Sequence, residues 1–156
     1  MKVKDRILFL KYALPCAGTL VKRGKVSQEH IDKIIEQISN NQVPKEEVEK
    51  KFKVAFAMCS NLAKEMKKDS INEEVIRRYF ISEHDKTVDE RFKLMGDFDP
   101  VACKTRIGKV LEVDKEFAVV ETSLGKKKYK TVFTKDIKKE DNVIVHFDFV
   151  VEKVVK

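Results

Sequence analysis

The chain has 156 residues, of which 42% are hydrophobic and 38% are charged. This length suffices for one domain of ordinary size or two small ones, each with a hydrophobic core. No apolar run approaches the roughly 18 residues that a membrane helix needs. Lys11 also interrupts the short apolar run near the start, which argues against a secretory signal. We therefore expect a cytoplasmic protein that does not cross a membrane.

The cysteines and the short motifs exclude several classes of protein. Cys16, Cys59 and Cys103 cannot all pair, and no two of them stand at C-x-x-C spacing. This argues against a disulfide scaffold and against a four-cysteine zinc site. The sequence also lacks the signatures of P-loop, dinucleotide-binding, zincin and serine-hydrolase sites. We predict that the protein is not an enzyme.

The pattern of apolar residues changes near Pro100. Before this residue they recur at helical spacing, and after it they alternate with polar residues. The segment from Gly96 to Pro100 is the expected linker. We therefore predict an α+β protein of two domains, with a small helical bundle over 1–99 and a β-domain over 100–156.

Five short helices are predicted in the first domain. The first covers 4–14, the second begins at Ser27 as its N-cap, and the third starts just after Pro44. Ser70 and Thr87 are each followed three residues later by Glu, which is typical of a capping box. These two boxes predict the starts of the fourth and fifth helices. Short helices with turn-length gaps favour a compact bundle.

Five short strands are predicted in the second domain, where β-branched and aromatic residues alternate with polar ones. The apolar runs that define them are 110–113, 118–121, 129–133, 143–147 and 149–155. Short strands joined by tight turns are typical of a small barrel of the OB or SH3 kind. Closure of such a sheet leaves no bare edge strand. We predict an OB-like β-barrel.

Cys103 and His146 are the two residues of this domain best suited to chemistry. A thiol and an imidazole are the side chains that most readily hold soft or borderline metal ions. Cys103 precedes the first predicted strand, in a loop that need not be packed, and the neighbouring Lys104 and Arg106 favour its thiolate form. Strand alternation places His146 on the same face as Ile144. Taken singly, each also fits a plain structural role, as a packed cysteine or a sheet histidine bonded to the backbone.

Cys16 and His84 are secondary candidates. We predict both in loops, Cys16 after the first helix and His84 between the fourth and fifth, and loop positions often carry function. They would complete a Cys/His set with Cys103 and His146 if the helical domain folds over the mouth of the barrel. The alternative is that both are ordinary surface residues. Cys59 falls on the predicted buried face of the third helix.

Residues 102–156, about a third of the chain, resemble the HypC/HupF family of hydrogenase-maturation chaperones. One motif of that family is a cysteine followed by a turn, a glycine and the first strand, which corresponds here to Cys103, Gly108, Lys109 and Val110. A second motif covers the last two strands. It matches Asp141, Val143, Ile144, Val145, His146, Phe149, Val150 and Val154.

The resemblance implies a protein that helps to assemble the iron–cyanide–carbonyl centre of nickel–iron hydrogenases. Cys103 would then be a thiolate ligand, and His146 a second ligand or an orienting group. The implied partners are a maturation scaffold protein and the hydrogenase large-subunit precursor. No cofactor would be bound permanently, although an iron fragment would be held transiently.

A nucleic-acid-binding barrel is the alternative function. The net charge is +7, and its densest cluster is formed by Lys126, Lys127, Lys128 and Lys130. OB folds bind single strands by stacking bases on aromatic residues in a positive groove, for which Tyr129 and Phe133 are the candidates. Other aromatic residues, such as Phe117, are expected in the core.

Overall fold

The computed structural model describes residues 1–154, in which helices are followed by a five-stranded sheet. This order agrees with the predicted α+β class. The helices are α1 (Arg6–Ala13), α2 (Ala17–Lys22), α3 (Gln28–Ser39), α4 (Lys53–Glu65), α5 (Glu73–Arg78), α6 (His84–Met95) and α7 (Pro100–Cys103). Short 3₁₀ turns occupy Leu14–Cys16 and Val48–Lys51, and a π-helical turn occupies Tyr79–Glu83.

The helix starts agree only in part with the sequence patterns. Ser27 caps α3 as predicted, since its side chain accepts a hydrogen bond from the His30 backbone N–H. The predicted cap at Ser70 is wrong, because Asn72 accepts the equivalent bond at the start of α5. Thr87 does not begin a helix either, since it lies inside α6.

The predicted third helix was placed too early. It begins at Lys53, after the 3₁₀ turn, and not just after Pro44. The carbonyls of Pro44 and Glu46 accept hydrogen bonds from the Arg6 guanidinium, at 2.8 Å and 2.7 Å. These carbonyls are held by a distant side chain, which stabilises the non-helical path of this segment.

The sheet closes on itself in a ring. Its strands are β1 (Thr105–Val113), β2 (Phe117–Thr122), β3 (Gly125–Lys130), β4 (Asn142–His146) and β5 (Phe149–Lys153). Their order around the ring is β1-β2-β3-β5-β4, and β1 pairs with β4. All neighbours are antiparallel except β3 and β5, which meet in parallel at Lys130 and Phe149. The predicted last strand and second domain extend into residues 155 and 156, which lie outside the described residues.

Gly108 allows β1 to approach β2 closely. A Cβ atom at this position would lie 2.5 Å from Val120 Cγ1 and 2.8 Å from the Glu121 carbonyl oxygen. Such contacts are too short for any side chain, so glycine is required for steric reasons. The glycine of the first motif therefore has a role in closing the sheet.

The ring encloses one apolar cluster and packs its outer face on a second. The inner cluster comprises Val110, Ala118, Val120, Tyr129, Ile137, Val143, Val145 and Val150. The helical cluster takes in four residues of the sheet half, Phe133, Ile144, Phe149 and Val151. Thus β4 directs alternate residues to the two clusters, as the alternation of its sequence predicted. The division into domains 1–99 and 100–156 stays a prediction.

No helix within residues 1–154 combines the length and the apolar character required to span a membrane.

Candidate metal centre

Two cysteines and two histidines meet where the helices pack against the sheet. One ligand atom from each of Cys16, His84, Cys103 and His146 lies within 4.8 Å of the other three. Cys16 ends a 3₁₀ turn, His84 begins α6, Cys103 ends α7 and His146 ends β4. The structure thus brings together both the primary and the secondary candidates of the sequence analysis.

Strand pairing places Cys103 beside His146. Thr105, the first residue of β1, is paired with His146, and Cys103 precedes it by two residues. The short helix α7 fixes the chain just before β1, since Asp99 caps it through the backbone N–H groups of Val101 and Ala102. The distance from Cys103 Sγ to His146 Nε2 is 3.9 Å.

Cys103 is buried, with 7% of its surface exposed. The sequence predicts Cys103 in a loop that need not be packed. This prediction is wrong, because Cys103 ends α7, which packs against α6. Cys16 is half-buried in the turn that contains Pro15. Its Sγ lies 3.3 Å from Cys103 Sγ and 2.9 Å from His146 Nε2.

The predicted loop position of His84 is also wrong. The chain is helical on both sides of this residue, and its side chain is buried. The π-helical turn Tyr79–Glu83 joins α5 to α6, so the chain stays helical throughout. Its wider turn interrupts the regular spacing of apolar residues, which is why the sequence pattern indicated a loop. The imidazole of His84 consequently packs edge-on against that of His146, with ring centroids 4.9 Å apart.

Each histidine is oriented by a partner on its second nitrogen. His146 Nδ1 lies 2.7 Å from the Tyr12 carbonyl oxygen, so Nδ1–H donates and the Nε2 lone pair faces the thiols. His84 Nδ1 lies 3.4 Å from Asp85 Oδ1. Metal-binding histidines commonly show this arrangement, since the outer bond fixes the ring and its tautomer. The sequence patterns gave no indication of the roles of Tyr12 and Asp85.

Tyr12 is itself held firmly in place. Its ring stacks on Phe80 at 5.1 Å between centroids, and its hydroxyl donates to the Glu152 carboxylate. Burial raises the pKa of this phenol, and the charge of Glu152 adds to the effect. The neutral Tyr12 hydroxyl therefore links α1 to β5, and the backbone carbonyl of Tyr12 remains aligned with His146.

The two thiols differ in their ease of deprotonation. The hydrogen bond from Cys16 lowers the pKa of Cys103 well below its usual range, and bonds from His146 and His84 act in the same direction. Burial raises the pKa of Cys16, as does its bond to Cys103. Cys103 is therefore the thiol of the pair that loses its proton more readily. A cation that binds here displaces that proton.

The net pKa shifts of the two histidines have opposite signs. Burial lowers the pKa of His84, but hydrogen bonds to Asp85 and Cys103 outweigh this effect, so the net pKa is raised. For His146 burial prevails and the pKa is lowered, although Cys103 opposes the shift. A neutral His146 is the form that can donate a lone pair to a metal ion.

The spacing of three of the four side chains is close to that around a tetrahedral ion, and the His84 ligand atom lies within 4.8 Å of the others. Zinc bonds of about 2.3 Å to sulfur and 2.0 Å to nitrogen imply ligand–ligand distances of about 3.3 to 3.8 Å. The two sulfur atoms lie 3.3 Å apart, and His146 Nε2 lies 2.9 Å from Cys16 Sγ and 3.9 Å from Cys103 Sγ, so only small adjustments are required.

No protein-family model matches this chain, and no curated protein matches it.

The lysine-rich strand has a different environment. Lys126, Lys127, Lys128 and Lys130 are all exposed along β3. Tyr129 and Phe133, the aromatic residues expected to stack on bases, are instead buried at 4% and 5% exposure. Phe117 was expected in the core and is 39% exposed, because it lies outward in β2 beside inward-facing Ala118. The two residues predicted to stack on bases are therefore not exposed beside the lysines, although Phe117 is paired with Lys130 across β2 and β3.

Proposed function

We propose that this protein binds one transition-metal ion, Zn²⁺ by preference, through Cys16, His84, Cys103 and His146. The observation that carries the proposal is the convergence of four thiol and imidazole donors from four separate elements. Cys₂His₂ sets are typical tetrahedral zinc ligands. Two thiolates also balance the charge of a divalent cation, which reduces the cost of burying it.

The ligand set favours a resident ion over a catalytic one. Catalytic zinc sites commonly use three protein ligands and leave a position for water or substrate, whereas structural sites use four. Cys16 and His84 come from the helical half, and Cys103 and His146 adjoin the sheet. An ion bound by all four would join the two halves, so its binding energy would contribute directly to folding.

A second candidate is the maturation role implied by the HypC/HupF resemblance. It is favoured by the position of Cys103 next to His146 at the start of a closed sheet. In this proposal the ring of strands is an OB-like β-barrel beside a helical bundle. The Cys103 thiolate would hold an iron fragment and contact the maturation scaffold and the hydrogenase precursor. Loss of binding to both proteins in Cys103→Ala, but not in Cys59→Ala, would support this role, and unchanged binding would exclude it.

Substitution with Co²⁺ tests the primary proposal. We expect the metal-free protein to take up one Co²⁺ per chain and to develop the strong visible absorption of tetrahedral cobalt with thiolate ligands. Zn²⁺ should displace it and abolish the colour, because Zn²⁺ suits this ligand set better. The spectrum is followed by titration under anaerobic conditions, which keep the thiols reduced.

A surface histidine provides the matched control. His30 Nε2 lies 3.0 Å from the Glu46 carboxylate at the surface, outside the cluster. His30→Ala should therefore bind cobalt like the unmodified protein, whereas His146→Ala should lose the tetrahedral spectrum. An octahedral spectrum in the unmodified protein, or equal effects of the two variants, would overturn the proposal.

A further inference from the structure

A pocket of about 360 Å³ lies beside the metal centre. Cys16, His84 and Cys103 line it, while His146 is fully buried behind them. The volume falls within the range of small-molecule sites. The thiol cluster therefore forms one wall of a cavity that a small molecule can enter.

The remaining walls are mainly apolar. The side chains that form them come from α2, α4 and the residue before it, the π-helical turn, α6 and the segment after α6. They include Leu20, Phe52, Val54, Tyr79, Val88 and Phe98. Such walls favour an apolar or aromatic body, since burying apolar surface is the main source of affinity in sites of this kind.

Apart from the Cys103 thiol, the charged residues at this pocket are all cationic. They are Arg23, Lys25, Lys51, Lys53 and Arg91, and no Asp or Glu is among the described residues that line it. Arg23 is bound to Asp97 at 2.7 Å, and Lys51 to Glu46 at 3.0 Å. Within residues 1–154, the other three cations have no ion-pair partner. Three cations thus remain available to a negatively charged group.

We infer that the pocket binds a small amphipathic organic anion. Its apolar body would lie against the walls, and its carboxylate or sulfonate would face Lys25, Lys53 and Arg91. The charges select for this occupant, because a cationic molecule would be repelled and a neutral one would leave the cations unpaired. A bound anion would also cover the open side of Cys16 and Cys103. The inference does not rest on the presence of a metal ion.

Two fluorescent probes of nearly equal shape test this inference. Anilinonaphthalene sulfonate carries an anionic group on an aromatic body, and N-phenylnaphthylamine has a similar body without charge. We expect saturable binding of the sulfonate to one site per folded chain, with weaker binding of the neutral probe. Added salt should reduce the affinity of the sulfonate alone.

Variants of the pocket cations assign the site. Arg91→Gln and Lys53→Gln should each weaken sulfonate binding about fivefold, the effect of one modest charge pair. Lys93→Gln is the control. Lys93 lies on α6 like Arg91, but it is exposed and does not line the pocket. Equal binding of both probes, or an equal effect of all three variants, would overturn the inference. Melting curves of each variant confirm that the folded protein is compared.

Discussion

Cys103→Ala is expected to abolish zinc retention and to lower the free energy of unfolding by about 4 kcal/mol. That is the stabilisation from a ligand at a thousand times its dissociation constant. Cys103 is the thiol of the cluster whose pKa is lowered, so its removal takes away the ligand that becomes a thiolate most readily. For a chain of this size the melting temperature should fall by roughly 10 °C. Metal analysis and thermal unfolding, with and without a chelator, measure both effects.

Cys59→Ala is the matched control for this substitution. Cys59 is buried like Cys103, but it lies on α4 outside the cluster, and burial raises its pKa to about 12. Its variant should keep the bound zinc and still lose stability when the chelator is added. The Cys103→Ala variant should show no response to the chelator. A Cys103→Ala protein that retains zinc, or responds equally to chelation, would contradict the site.

Arg6→Ala is expected to destabilise the protein by about 3 kcal/mol, because it leaves a buried carboxylate without its cation. Arg6 Nε lies 2.9 Å from Glu49 Oε1, and the Glu49 side chain is only 4% exposed. The same guanidinium donates to the carbonyls of Pro44 and Glu46. The substitution therefore breaks an ion pair and frees two backbone acceptors at once. Urea denaturation measures the loss.

Two further variants separate the ion pair from a general surface effect. Arg78→Ala removes an exposed arginine that has no ion pair within residues 1–154, so it should cost little. Replacing Arg6 and Glu49 together by methionine should recover much of the stability, since no unpaired charge then remains. If Arg6→Ala proves no more harmful than Arg78→Ala, the proposed role of the pair is wrong.

The sequence predicted much of the strand half correctly because its signal is local. Alternation in β4 separated Val143 and Val145 from Ile144 and His146, and the structure sends these two sets to different sides. Proximity of Cys103 to His146 then follows from the pairing of β1 with β4. A local pattern was sufficient wherever the strand period and its pairing determined the geometry.

The helical half was harder to predict because distant contacts determine its path. The π-helical turn before His84 resets the helical period, so a continuous helix resembles two helices joined by a loop. The segment after Pro44 is held by Arg6, nearly forty residues earlier in the chain. Likewise, the Tyr12 carbonyl that orients His146 carries no side-chain signature. Spacing and capping patterns are local, so they do not indicate tertiary contacts of this kind.

X-ray absorption at the zinc edge of the zinc-loaded protein is the most direct test of the central claim. A site formed by Cys16, His84, Cys103 and His146 predicts two sulfur neighbours at about 2.3 Å and two nitrogen neighbours at about 2.0 Å. Cys59→Ala should keep both sulfur neighbours, whereas Cys103→Ala should retain no zinc and show no zinc edge. A shell of oxygen and nitrogen atoms without sulfur would contradict the account.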